Sequence, residues 1–214
     1  MIKQIFGFPV YTDNIEASLF DKKKIIKDIE YNYKKNKYRN KYEDPKGLFG
    51  SNLHHSYNDL ENPNFKKINY SKLIPIYTKI ITNFLNNFKF KKTVNFKFTI
   101  VNYTCMTSSQ YMKSHYHPES DFTAVHYIKY DNNVHKPTLF ENSDFSKFTK
   151  SLRPNLINLL DSSDINHSWY YENYFLNVKE DDICITPSFL FHSVPIQPKT
   201  DISRMTIVLN ISLE

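Results

Sequence analysis

Val94-Asn95-Phe96-Lys97-Phe98-Thr99-Ile100-Val101-Asn102 is the stretch that decides the fold. Val94, Phe96, Phe98, Ile100 and then Asn102 alternate with Asn95, Lys97, Thr99 and Val101, and a period of two belongs to a strand with one buried face. Immediately upstream the period is helical. Over residues 71 to 88, Leu73, Ile76, Tyr77, Ile80, Phe84, Leu85 and Phe88 form one apolar stripe. Ser71 is placed to cap this helix, and Pro75 lies close enough to its start to be tolerated. A helix with such a stripe must pack on something, most simply a sheet.

The same change of period organises the rest of the chain. Residues 19 to 35 read as a helix, with Leu19, Phe20, Ile25, Ile26, Ile29 and Tyr33 on one side and lysines on the other. Ile5 to Tyr11 reads as a short strand. Residues 36 to 70 are polar and irregular, punctuated by Pro45, Gly47, Gly50 and Pro63. After residue 93 strands are expected over 122–130, 138–141, 174–178, 182–186 and 205–213. Between them, 142–173 is rich in Ser, Asn, Asp and aromatics, including the only Trp, Trp169. A structureless loop of that length is uncommon in a compact domain, so a lid or helical insertion is expected. Helices in the first half and strands in the second predict an α+β fold, its strands closing into a cupin-like barrel or jelly roll, a double-stranded β-helix flanked by N-terminal helices. One domain is expected over 1–214: 1–92 as helical support and substrate-side elements, 93–214 as the β-barrel core carrying the 142–173 insertion.

Composition narrows the function. With 40% hydrophobic residues, 17 Phe and 16 Tyr among 214 residues, the chain can build a substantial core. The net charge of +6 invites a nucleic-acid reading. Lys, Asn, Ile, Tyr and Phe are all abundant while Arg and Gly are scarce, so the charge follows the codon bias of an AT-rich genome, and nucleic acid is not an expected partner. Cys105 and Cys184 stand alone in apolar runs and are expected as buried free thiols. No run reaches the ~20 apolar residues of a membrane span, and the N-terminus lacks the apolar core of a signal peptide. A reducing cytoplasmic setting is expected, in a host cell were the chain phage-encoded.

The residues that carry chemistry are few. His115-Tyr116-His117-Pro118-Glu119 is answered 75 residues after His117 by His192, and Arg204 follows. In an extended segment His115 and His117 face the same way, and His192, after the Pro187 turn, approaches from another strand. Three imidazoles suit Fe(II), Zn(II) or Ni(II). Two registers are open for the metal: His115 and His117 with His192, or His117 and Glu119 with His192, the second supplying a carboxylate. Arg204 opens the last strand, where a guanidinium can grip a carboxylate with two parallel hydrogen bonds. His126 lies mid-strand, available either to a co-substrate or to the core.

At these residues the chain resembles a 2-oxoglutarate/Fe(II) oxygenase family common in marine bacteria and their phages, related to the prolyl and aspartyl hydroxylases. That family's pattern runs roughly H-x-H-P-x-S-x-x-S-G-x-Y-Y, then a proline-led strand ending in His, then an Arg opening the last strand. It is answered here by His115, His117, Pro118, Ser120, Thr123, Ala124 and Tyr127, then Pro187, Ser188 and His192, then Arg204 and Asn210. Phe6-Gly7-Phe8-Pro9-Val10 and Ser51-Asn52-Leu53-His54-His55-Ser56 are similar to it as well. The resemblance implies Fe(II) as cofactor and 2-oxoglutarate as co-substrate, anchored by Arg204. In the related aspartyl/asparaginyl hydroxylases a metal His precedes a 2-oxoglutarate-binding His by eleven residues. His115 and His126 show that separation, which favours His115, His117 and His192 as the metal set and His126 beside the co-substrate. The implied reaction is hydroxylation by O2 of an amino-acid, peptidyl or other small substrate, with residues around 54–57 and the 142–173 insertion near its entrance. The rival readings are a cupin-like metal or ligand-binding barrel without redox turnover and a structural protein of a phage particle.

Overall fold

Helices packed on one of two facing sheets account for the two periodicities. The computed structural model describes residues 2–5, 7–35, 51–56, 64–88, 90–143 and 171–214. In chain order these hold β1 (Ile2–Ile5), β2 (Phe8–Asn14), α1 (Lys22–Lys35), β3 (His54–His55), α2 (Leu73–Leu85), β4 (Phe96–Met106), β5 (Met112–His115), β6 (Phe122–Lys129), β7 (Leu139–Glu141), β8 (Asn173–Phe175), β9 (Asp182–Pro187), β10 (His192–Val194) and β11 (Arg204–Leu213). One sheet runs in the order β1-β2-β9-β6-β11-β4-β3, and a smaller one in the order β5-β10-β7-β8. All of the pairings are antiparallel. The protein is thus mostly β with few helices. Most of the 142–173 insertion, with Trp169, and much of 36–70 lie outside the described residues.

Helices cover one face of the larger sheet. Ile25, Ile29 and Tyr33 of α1 and Leu73, Tyr77, Ile80, Ile81, Phe84 and Leu85 of α2 pack on the alternate residues Met205, Ile207, Leu209 and Ile211 of β11 and on Ala124, Ile128, Ile183 and Ile185. Phe84, fully buried, makes edge-on contacts with Phe88 and Phe122 and a tilted one with Tyr11. Truncating an aromatic ring in such a core costs about 3–5 kcal/mol. Phe84→Ala is expected to lower unfolding free energy by that amount in urea titration. The sheet's other face meets the smaller sheet through Val10, Tyr127, Phe140, Leu176, Cys184 and Leu190, and both cysteines are buried and free.

Several local expectations change. Ser71 does not cap α2. Lys72 occupies the cap position without a side-chain bond, Tyr70 O accepts from Leu73 N and Ile74 N, and Asn69 Oδ1 accepts from Ser71 N at 2.9 Å. A turn begun by the Asn69 side chain therefore replaces a serine cap. The single strand expected near Ile5–Tyr11 is a hairpin, with Gly7 at φ +83, where a side chain would strain the backbone. The alternation from Val94 to Asn102 is broken by a bulge. Val208 pairs with Asn102 but Leu209 pairs with Ile100, leaving Val101 without an opposite residue. Phe96, Phe98 and Ile100 therefore pack on the helix side, whereas Asn102, Thr104 and Met106 turn into a cavity between the sheets. A bulge of this kind re-aims side chains, and here it supplies the cavity with its polar wall.

Candidate metal and carboxylate site

The cavity, about 660 Å³, lies against the face of the larger sheet turned away from the helices. Strand parity selects its lining. Arg204, Thr206, Val208 and Asn210 come from β11, Asn102, Thr104 and Met106 from β4, and Val125 from β6. The smaller sheet closes it with His115, His192 and Val194, joined by His117 just after β5 and Thr138 just before β7.

His115 and His192 are register partners across β5 and β10, which sets their rings 4.3 Å apart between centroids. His117 lies 5.4 Å from each, and its ring is within 3° of parallel with that of His192. One nitrogen from each of the three falls within 4.8 Å of the others. Two of the rings are held by their own strands: His115 Nδ1 donates to Lys113 O and His192 Nδ1 to Leu190 O, both at 2.9 Å. With the proton on Nδ1, Nε2 carries a lone pair. His117 Nε2 is buried with no hydrogen-bond partner among the described residues. Burial, and then the neighbouring imidazoles, push His192 well below the ordinary histidine range and His117 down to about 4; burial also lowers His115. Three clustered neutral imidazoles, two with oriented tautomers, fit a divalent transition metal.

Proton linkage follows from the same burial. The unfolded chain titrates these groups near 6.5 while the fold holds them lower, so acid loads protons on the unfolded state first. Their contribution is intact above about pH 6.5 and is lost as pH falls toward the folded value of about 4 for His117. Metal-free protein is expected to lose urea stability steadily from about pH 6.5 to about pH 4, with a shallower loss in His117→Gln. A slope unchanged by that substitution would contradict the assignment.

Arg204 is the second element. It is 1% exposed, sits over the Tyr127 ring at 5.2 Å, and reaches Thr138 Oγ1 from Nη2 at 3.4 Å. Tyr127 and Thr138 are themselves joined, hydroxyl to hydroxyl, at 2.7 Å. Among the described residues Arg204 Nε is buried without a hydrogen-bond partner, and no carboxylate forms an ion pair with the guanidinium. Burial lowers the basicity of the guanidinium and the nearby tyrosines oppose this, but arginine stays charged in either case. A buried charge stripped of its partner costs about 3–5 kcal/mol. An anion entering the cavity would remove that cost.

The remaining candidates are placed apart. Glu119 lines the cavity rim, is exposed, and is not in the three-histidine cluster. His126 corrects an expectation: it is not at the cavity. On β6 Val125 faces the cavity, so the next residue points under the helices. There His126 Nδ1 meets Tyr77 Oη at 2.8 Å, its Nε2 lies 3.9 Å from Asp181 Oδ1, and Phe20 packs edge-on against the ring. A spacing of eleven residues reaches the next strand but does not choose the face. Of the 54–57 segment, buried His55 lines the cavity, His54 packs on Tyr103 instead, and residue 57 lies outside the described residues. Thr138, Thr206 and Asn102 were not singled out from the sequence. Thr206 could have been, from its i+2 parity with Arg204.

Residues 102–210, just over half of the chain, match the model of a family described as "Putative 2OG-Fe(II) oxygenase". Among solved structures, the chain is similar to a prolyl-4-hydroxylase of Pseudomonas putida, with a TM-score of 0.54 and 8% identity over 95% of this chain and 92% of that one. It is also similar to a prolyl hydroxylase of Trichoplax adhaerens solved with a peptide fragment of the hypoxia inducible factor oxygen degradation domain. There the TM-score is 0.52 and the identity 9%, over 95% of this chain and 83% of the other. At such identities the likeness is one of fold. No curated protein sequence matches the chain. No helix among the described residues is long and apolar enough to cross a membrane.

Proposed function

The chain belongs to the 2OG-Fe(II) oxygenase family, whose chemistry uses Fe(II) and 2-oxoglutarate, and we propose that it is a hydroxylase with His115, His117 and His192 as metal ligands and Arg204 as the anchor of the co-substrate's C5 carboxylate. The observation that carries this reading is the buried Arg204, without an anionic partner among the described residues, opening onto the same cavity as three clustered neutral histidines. We read the two sheets as a double-stranded β-helix, and residues 1–214 as one domain in which 1–92 supports a 93–214 barrel.

When bound, Fe(II) supplies the centre at which O2 oxidises 2-oxoglutarate to succinate and CO2 while one C–H bond of the substrate becomes C–OH. The chain's own residues orient and exclude. His115 and His192 present Nε2 because Lys113 O and Leu190 O hold their Nδ1 protons. Arg204, braced by Tyr127 and Thr138, grips the far carboxylate and so directs the keto acid's other end to the metal. Val125, Val194 and Met106 dry the cavity walls. The substrate, an amino-acid, peptidyl or other small molecule, enters past Tyr116 and Glu119 at the rim.

Incubated in air with Fe(II), 2-oxoglutarate and ascorbate, the protein is expected to release succinate in an iron-dependent manner, even without its substrate, at a low uncoupled rate. Absence of succinate from protein that binds both iron and 2-oxoglutarate, across amino-acid and peptide panels, would favour a non-redox barrel.

A further inference from the structure

Asn210 has no part in the assignments above, although it closes the motif that Arg204 opens. It stands on the cavity side of β11, in line with Arg204, Thr206 and Val208. Its Oδ1 is buried with no hydrogen-bond partner among the described residues, and the same is true of His117 Nε2. Both side chains line the same cavity, and each leaves one buried polar atom over. His117 also differs from the other two histidines. The Nδ1 atoms of His115 and His192 are each held by the carbonyl two residues earlier, at 2.9 Å. The backbone N–H of His117 goes across to Ser188 O at 2.9 Å, whereas its ring Nε2 has no hydrogen-bond partner among the described residues.

An imidazole on a metal donates its other ring N–H to an outer acceptor, which fixes the tautomer and the ring's orientation. We propose that Asn210 is this acceptor for His117, its Oδ1 taking the N–H of Nε2 and leaving Nδ1 to the metal. Asn210 is then a positioning residue that touches neither metal nor co-substrate. A carboxamide does this without adding negative charge beside the metal, so all three imidazoles remain neutral donors of similar strength. The inference rests on the three-histidine reading of the metal site.

Proton NMR of the full chain loaded with Co(II) tests it without any turnover. The N–H protons of imidazoles bound to paramagnetic Co(II) are shifted far from the other signals and disappear in D2O. Wild type is expected to show three, all exchanging slowly because each has an acceptor. Asn210→Ala is expected to keep two and lose the third to rapid exchange, with Co(II) affinity lowered about 10–100-fold. Asn210→Asp, which retains an acceptor oxygen, is expected to restore the third signal. Three slow signals and unchanged affinity in Asn210→Ala would overturn the role of Asn210 and leave the metal site standing. Should that variant fail to fold, wild type still decides: two slow signals and one fast one overturn the role of Asn210. Co(II) affinity left unchanged by His117→Ala overturns the three-histidine site, and the proposal with it.

Discussion

His192→Ala is expected to abolish stoichiometric Fe(II) binding in protein that remains folded. His192 is 7% exposed and its Nδ1 is committed to Leu190 O, so removing the ring deletes a ligand already turned the right way. Only two histidines of the cluster then remain, and the affinity of a small protein site depends steeply on ligand number. His115→Ala and His117→Ala should behave alike, because the three nitrogens lie within 4.8 Å of one another. Glu119→Gln should retain the metal, since that carboxylate is exposed at the rim and outside the cluster. Calorimetric titration of the four variants separates the two registers. Metal lost in Glu119→Gln and kept in His115→Ala would assign the site to the carboxylate register.

Arg204→Met is expected to leave Fe(II) binding intact while 2-oxoglutarate affinity falls tens-fold or more. On the proposed assignment the histidines hold the metal without help from the guanidinium. The carboxylate does depend on it, because a charge-assisted hydrogen bond contributes about 1.5–3 kcal/mol and the planar fork can make two. Methionine fills much of the volume and offers no donor. The variant should also be at least as stable as wild type without ligand, since it no longer buries a charge that has no anionic partner among the described residues. Unchanged 2-oxoglutarate affinity in Arg204→Met would remove Arg204 from the site.

Much of the sheet and helix pattern was legible in the chain itself. Arg204-Met205-Thr206-Ile207-Val208-Leu209-Asn210 alternates cleanly, and the structure sends the apolar set under the helices and the other set into the cavity. The long apolar stripe of α2 is equally direct, because a stripe of that length has no stable alternative to packing on a sheet. What was hidden is what alternation cannot express. The bulge at Val101 reverses parity within a strand whose sequence runs on without interruption, so Asn102 departs from the face of Ile100. His126 was misplaced for a related reason: chain separation finds the neighbouring strand, whereas the inward face depends on where that strand's register begins. β3, β5 and β10 are two to four residues long and too short to carry a period. The gathering of His115, His117 and His192 needed no period, only a shared parity and two strands brought side by side.

The most direct measurement is the visible spectrum of the wild-type protein under anaerobic conditions with one equivalent of Fe(II), titrated with 2-oxoglutarate. A keto acid chelating Fe(II) through its carboxylate and keto oxygens gives a weak metal-to-ligand absorption band that neither component shows alone. The account predicts that this band appears, saturates at one 2-oxoglutarate per iron and is absent from Arg204→Met at the same concentrations. Wild type that binds Fe(II) yet develops no band at saturating 2-oxoglutarate would contradict the placement of metal and co-substrate in one cavity.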